Sequence, residues 1–384
     1  MLIPLVDLKL QHRQIADELQ QGFARLFENT AFILSEEVAS FERAFAQFSG
    51  VKHCVGVANG TDALEMILRA VGVANGDEVI VPANSFVATA FAVMRAGAVP
   101  RFVDSDPETH LIDVQAVALQ INHRTKAILA VHLYGQMAPM EDLKALADET
   151  GVLLLEDAAQ AHGARRHNQG LASVGLAAAT SFYPSKNLGG YGDGGAVLTN
   201  SDDVAAAVRA LRNYGSEIKY HHPRVGFNSR LDAIQAVVLS AKLKHLAIWN
   251  EARRQAARRY DKLLSRLNAV TLPVTLPGNE HVWHLYVVRL ARRDSILSKL
   301  KEAGINAALH YPLPIHLHGA FQHLGHQRGS FPIAEAAAKQ VLSLPLFPEI
   351  TVEQQAYVAS ELERSLLKAS RCTKARRATG FAPG

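Results

Sequence analysis

The sequence predicts an α/β protein, with a large domain on a mostly parallel sheet and a smaller α+β domain at the C-terminus. Three observations lead there. Short apolar, β-prone runs alternate with helical spacings from Val55 to Leu198, the signature of βα units. Several of those runs end in polar or glycine-containing turns, as strands do at the ligand-binding edge of an open sheet. Beyond about residue 245 the alternation stops, and a long helix leads to one clear strand flanked by helices. On this reading residues 1–245 form the large domain with its N-terminal helical segment, 246–368 the small domain, and 369–384 a disordered basic tail.

In chain order, amphipathic spacing places helices over 13–29 and 36–48. A short strand, 55–58, runs into Asn59-Gly60-Thr61-Asp62 and a helix through Leu64, Ile67 and Leu68. The amides and hydroxyl at Gly60-Thr61 suit a phosphate, although any helix cap has the same look. Strands over 78–82, 100–103 and 127–132 follow, with Asn84-Ser85-Phe86 opening a helix that ends near Gly97 and another helix over 139–150. After a strand at 195–198 and a helix over 202–211, the segment 214–229 has no periodicity and is rich in Tyr, His, Arg and Lys. It reads as a loop able to meet an anion. Leu231, Ile234 and Val238 begin one long helix running past Asn250 towards Leu263, which bridges to the small domain. There, 282–290 reads as a strand, 294–303 as a helix, and 351–367 as a closing helix.

Composition is that of a globular protein: 48% of the 384 residues are hydrophobic and 20% charged, enough for a substantial core. No run approaches the roughly 18 apolar residues of a membrane span, and the N-terminus lacks the pattern of a secretory signal. Two cysteines, Cys54 and Cys372, argue against a disulfide framework and suit a reducing cytoplasm. The net charge of +4 hints at nucleic acid, but five basic residues and no acids lie beyond Leu367. The body is therefore slightly acidic, and nucleic acid is not an expected partner.

The chemistry concentrates between Leu153 and Ala196. The apolar run 152–155 ends at Glu156-Asp157, placing an acid at a strand's carboxyl end. A second strand, 178–183, delivers Ser181 and then Lys186, followed by glycines at 189, 190, 192, 194 and 195. An acid at one strand end and a lysine after the next fits pyridoxal phosphate (PLP): the lysine holds the aldehyde as a Schiff base, and the acid keeps the pyridine nitrogen protonated. Taken singly, a loop lysine and an acid that caps a helix are the plainer readings.

The ordered motifs EDAAQAHGA, SFYPSKNLGGYGDGGAV, RNYGS and FNSRLDAIQA resemble the DegT/DnrJ/EryC1/StrS family of sugar aminotransferases, from PLVDL near the N-terminus to about residue 365. The resemblance implies the type I, aspartate-aminotransferase-like fold of PLP enzymes. It implies Lys186 and Asp157 as catalytic residues, and Gly60, Thr61 and Ser181 around the cofactor phosphate. Phe86 would cover the ring, Gln160 would meet the phenolic oxygen, and Asn228 would reach the phosphate of a neighbouring subunit. It further implies a homodimer with shared active sites.

The SFYP-x-KNLG form, together with HYPLPIH at 310–316, looks like the branch that aminates C3 of dTDP-3-keto-6-deoxyhexoses, with glutamate the usual donor. In that branch Tyr183, His310 and Tyr311 lie near the hexose, and Lys219 reaches the substrate pyrophosphate from the partner subunit. A 4-aminotransferase of dTDP-4-keto-6-deoxyhexoses is the alternative within the chemistry. Sugar dehydratases of the same fold replace the lysine, so Lys186 argues against them. A non-catalytic regulator that retains the fold is the alternative from another class. Metal is not expected, because the histidines at 310, 316 and 318 match no ligand spacing.

Overall fold

The computed structural model describes residues 1–378, with side chains to residue 367. Eight strands lie within the first 200 residues: β1 (His53–Val57), β2 (Glu78–Pro82), β3 (Val99–Val103), β4 (Thr125–Val131), β5 (Leu153–Asp157), β6 (Arg165–Arg166), β7 (Ala177–Ser181) and β8 (Gly195–Thr199). Helices α1 (Leu8–Asn29), α2 (Glu36–Ser49), α3 (Gly60–Ala70), α4 (Ala88–Arg95), α5 (Val114–Gln120), α6 (Met140–Thr150) and α7 (Asp202–Leu211) lie among them. Seven strands form one sheet in the order β1-β8-β7-β5-β4-β2-β3. Only β8 runs antiparallel to its neighbours, so the other strands all end at one edge.

The sheet is apolar on both faces, because helices cover both. Its residues divide by the period of two. Cys54, Ile80, Ile128, Leu154, Ala178 and Leu198 join the core with Phe41 and Phe45 of α2. Their neighbours Val55, Val79, Val81, Leu129, Leu155 and Val197 join the opposite core with Leu64 and Ile67 of α3 and Val204 and Val208 of α7.

Beyond the sheet come α8 (Ala233–Leu243) and α9 (Leu246–Leu264), then β9 (Val270–Thr271), β10 (Asn279–Glu280), β11 (Tyr286–Leu290), α10 (Arg293–Glu302), α11 (Pro332–Gln340), β12 (Val341–Leu344) and α12 (Val352–Ala378). The three-stranded sheet β12-β11-β9 packs with α9, α10 and α12 in a separate core around Tyr260, Tyr286 and Phe347. A small cluster, Val131, Leu133 and Tyr134 with Leu285, Val287 and Val341, mounts this domain at the carboxyl end of β4.

Several expected boundaries move. The single long helix is two, α8 and α9, separated at Lys244-His245. The strand expected over 282–290 begins at Tyr286, since Trp283 takes a left-handed φ of 46°. The extreme N-terminus sides with the small domain: Ile3 pairs with Ile305, and Leu5 accepts from the Leu346 amide. Conversely, Ile315, Phe321 and Phe331 pack on the large domain, with Phe321 against Phe91 and Phe102. The closing helix continues to Ala378, into the segment expected as a basic tail, whose residues 379–384 lie outside the described residues. Among the described residues no helix is long and apolar enough to cross a membrane.

Candidate active site

The carboxyl ends of β1, β2, β4, β5 and β7 meet at a cavity of about 460 Å³. Asp157 ends β5, Ser181 ends β7, His132 follows β4, and Gly60 starts α3 just after β1. Residues Lys186, Tyr183, His310, Tyr311, Gln160, Phe86 and Thr61 complete most of the expected set around it. Ten of the twelve residues singled out from the sequence therefore line one cavity.

Lys186 sits in a turn with little freedom. Its amide donates to the Tyr183 carbonyl at 2.9 Å, and the Gly190 amide to Phe182 at 2.7 Å. Phe182 is fully buried, edge-on to Phe41 and Phe45. A Cβ on Gly189 would lie 2.3 Å from the Pro184 carbonyl oxygen, so the turn requires glycine there. The buried Lys242 ammonium donates to the Gly189 carbonyl at 2.7 Å and ties the turn to α8. Burial lowers the Lys186 amine to about 8, an effect the Asp157 carboxylate opposes.

Asp157 is buried, and burial pushes its carboxyl upward. Thr89 opposes that shift by donating its hydroxyl to Oδ2 at 2.7 Å; the Ala159 amide donates to Oδ1 at 3.2 Å, and the Lys186 charge acts the same way. Because Thr89 has one hydroxyl proton, Ser85, 2.8 Å away, is the donor between those two.

The neighbouring Glu156 points to the other side of the sheet. It accepts the His132 Nε2–H at 2.9 Å and the amides of Ala172 and Gly175 at 3.0 Å. The Ala138 amide donates to His132 Nδ1. A nitrogen that accepts carries no proton, so this geometry corresponds to the neutral ring.

At the opposite wall, Asn59 caps α3 by accepting the Asp62 amide at 2.8 Å. The first-turn amides at Gly60 and Thr61 have no partner within the helix. A Cβ on Gly60 would fall 2.6 Å from Ser181 Cβ, so a bare backbone is what lets α3 and β7 close into a cradle. Gln160 accepts the Tyr134 amide at 2.6 Å and donates to the Tyr311 hydroxyl at 3.0 Å. Phe86 and Tyr183, both about half exposed, border the cavity, with the Phe86 ring 5.6 Å from that of Tyr311. His310 bonds Ser343 Oγ through Nδ1 at 2.8 Å, and burial lowers its basicity to about 4.

Two expected residues are not in this chain's cavity. Asn228 is exposed and pairs with Asn213, and Lys219 lines a separate open groove of about 840 Å³ with Tyr214, Tyr220, His222 and Arg224. Sequence reasoning missed Ser85, Thr89, His132 and His284, because a hydroxyl or imidazole within an apolar run carries no local sign of what it faces.

The residues present fit PLP. A phosphate cradle, a buried carboxylate, an aromatic face and a lysine of lowered basicity surround one cavity of the size of a small cofactor with substrate. When bound, PLP supplies an electron sink for the carbon bearing the amino group.

Comparison with known proteins agrees. Residues 13–363 match the DegT/DnrJ/EryC1/StrS aminotransferase family. The chain is 45% identical to a pleiotropic regulatory protein of Geobacillus stearothermophilus, over 94% of this chain and 98% of that one. It is 44% identical to the dTDP-3-amino-3,4,6-trideoxy-alpha-D-glucose transaminase of Streptomyces venezuelae, over 91% and 92%. The crystal structure of S. venezuelae DesV in complex with a ketimine intermediate superposes with a TM-score of 0.92 at 43% identity, covering 94% of this chain and 98% of that one. The chain belongs to the DegT/DnrJ/EryC1/StrS aminotransferase family and is a PLP-dependent enzyme.

Proposed function

We propose that this aminotransferase carries an amino group from L-glutamate to C3 of a dTDP-3-keto-6-deoxyhexose, for the synthesis of a deoxyamino sugar. The observation that carries the reading is the convergence of two distant motifs. SFYP and HYP bring Tyr183, His310 and Tyr311 to the cavity that holds Lys186. Relatives named as 3-amino-sugar transaminases include the S. venezuelae protein and the dTDP-3-amino-3,6-dideoxy-alpha-D-galactopyranose transaminase of Aneurinibacillus thermoaerophilus, at 44% and 42% identity. A UDP-N-acetyl-3-dehydro-alpha-D-glucosamine 3-aminotransferase is 43% identical. Carbon 3 is common to these names and the nucleotide is not, so the base is the finer part of the proposal.

In this reading Lys186 Nζ would hold the cofactor aldehyde and, when free of it, would take the donor's α-proton. Asp157 holds the proton on the pyridine nitrogen, with Thr89 keeping the carboxylate charged. Gly60, Thr61 and Ser181 hold the phosphate, Phe86 covers the ring, and Gln160 turns its amide towards the phenolic oxygen.

The substrate diphosphate needs positive charge, and Lys186 is the sole lysine or arginine among the cavity-lining residues. The groove carrying Lys219 and Arg224 supplies it once two chains associate, with Asn228 reaching the partner's cofactor phosphate. Exposed Phe27, Phe32, Ile33, Leu34 and Ile234 give such a homodimer an apolar face. A regulator would have no use for a lysine of lowered basicity beside a buried carboxylate. The test is a panel of dTDP- and UDP-linked 3-keto sugars with glutamate. Turnover of dTDP-3-keto-6-deoxyhexose above the others is expected, and preference for a UDP sugar overturns the nucleotide assignment.

A further inference from the structure

Lys242 lies in α8, 1% exposed, and its amine donates to the Gly189 carbonyl at 2.7 Å. Among the described residues no carboxylate forms an ion pair with it. Its second contact is a ring: the amine stands 4.8 Å from the centroid of Tyr191, within cation–π reach. Burial lowers the amine to about 8 with no acid opposing the shift, so at neutral pH it remains an ammonium. A buried cation without a counter-ion is destabilising, and an apolar side chain of similar volume would be less so. Stability alone therefore does not explain a lysine here.

What the ammonium holds does explain it. The peptide unit between Gly189 and Gly190 is bonded on both sides. Its N–H donates to the Phe182 carbonyl at 2.7 Å, and its C=O accepts from Lys242. The first bond closes the loop 183–189 that carries Lys186, and the second fixes the closing peptide to a helix. A charged donor forms roughly twice the bond of a neutral one. The chain just beyond, with glycines at 190, 192, 194 and 195, has little stiffness of its own. It is laid along α8 instead. The Tyr191 amide donates to Gln235 Oε1 at 2.7 Å, and Cβ atoms on Gly190 and Gly192 would fall 2.6 and 2.9 Å from the Gln235 amide group. Gln235 and Lys242 stand about two turns apart, so they share a face of α8. From α1, His12 Nδ1 meets the Tyr191 hydroxyl at 2.8 Å and steadies the ring.

We propose that Lys242 is a positioning residue for Lys186: its ammonium pins the peptide that closes the lysine's loop, and thereby holds Nζ where a cofactor aldehyde is captured. The inference rests on the reading of Lys186 as the residue that bonds the cofactor. Lys242 is not among the residues lining the cavity, so it acts through the loop and not on cofactor or substrate.

Two ligands separate positioning from binding in the full-length, cofactor-free chain. PLP and 4′-deoxypyridoxine 5′-phosphate share the ring and the phosphate, but the second has a methyl group in place of the aldehyde and cannot bond a lysine. The ratio of their dissociation constants therefore reads the Lys186 bond alone. Lys242→Met keeps the length of the side chain and removes the ammonium. PLP affinity should fall about 10-fold in K242M, while affinity for the deoxy ligand stays within about twofold. An unchanged ratio, or a fall shared equally by both ligands, overturns the proposal. A wild type without any advantage for PLP refutes the reading of Lys186 and the proposal with it; an advantage that K242M keeps refutes only the role of Lys242. Thermal melts report folding, and where K242M does not fold, Tyr191→Leu decides. Tyr191 is 42% exposed, its backbone bond to Gln235 survives the change, and the ring facing the ammonium is lost. A fall of about threefold for PLP alone supports the pin, and no fall overturns it.

Discussion

Thr89→Val removes a single hydroxyl from beneath the cofactor site. Thr89 is fully buried and donates to Asp157 Oδ2 at 2.7 Å; valine has the same shape, so packing is preserved while Asp157 loses its shorter hydrogen bond. A hydrogen bond to a charged group contributes about 1.5–3 kcal/mol. If Asp157 must stay ionised as the pyridine nitrogen's partner, that loss appears in the transition state and lowers kcat/KM about 10- to 100-fold. Loss of a donor also raises the Asp157 carboxyl further, so the acid limb of the pH profile moves to higher pH. Thr89→Ser keeps the hydroxyl and should stay within about threefold of wild type. The assay is steady-state kinetics across pH, with thermal melting to show that both variants fold. The reasoning fails if Thr89→Val matches wild type in rate and acid limb, or if Thr89→Ser falls as far.

Other outcomes follow from the same geometry. Lys186→Ala should abolish turnover and the visible absorption band of the holoenzyme; a coloured, active variant contradicts the assignment. Gly60→Ala puts a Cβ 2.6 Å from Ser181 Cβ, and should cost about 1–3 kcal/mol of stability and weaken cofactor binding, read by calorimetry and PLP titration. Mixing Lys186→Ala with Lys219→Ala chains should restore about a quarter of wild-type activity through mixed dimers, and no recovery argues against shared sites. For the cofactor-free chain the Lys186 amine sits at about 8, against 10.5 for free lysine. Between those values the folded state has released a proton that the unfolded state keeps, so stability should rise with pH across the window. Lys186→Met should flatten part of that rise in thermal melts; Lys242, also held at about 8 by burial, accounts for another part.

Much of this architecture is legible in the sequence because the strands of the main sheet are buried on both faces and read as continuous apolar runs. Asp157 and Lys186 were readable from their places after such runs. Gly60-Thr61 read either as a phosphate turn or as an ordinary helix cap, and the structure adds why a glycine stands there: a side chain would collide with Ser181. What escaped is tertiary. The break between α8 and α9 is hidden because Leu239, Leu243 and Leu246 keep a helical spacing across it. The first half of VWHLYVVRL looks like strand, yet Trp283 stacks on His281 with ring centroids 3.9 Å apart and turns the backbone away from the sheet. Thr89 and Lys242 gain their significance from Asp157 and Gly189, which are distant in sequence. Pairing of Ile3 with Ile305 likewise ties the N-terminus to the distant small domain.

The position of amination is tested most directly by a paired incubation. The enzyme, PLP, glutamate and dTDP-4-keto-6-deoxyglucose are combined with and without a 3,4-ketoisomerase, and products are read by mass spectrometry. Aminated sugar only when the isomerase is present is the predicted result and places the nitrogen on C3. Aminated sugar without the isomerase means that the 4-keto sugar is the substrate, and contradicts the reading of Tyr183, His310 and Tyr311.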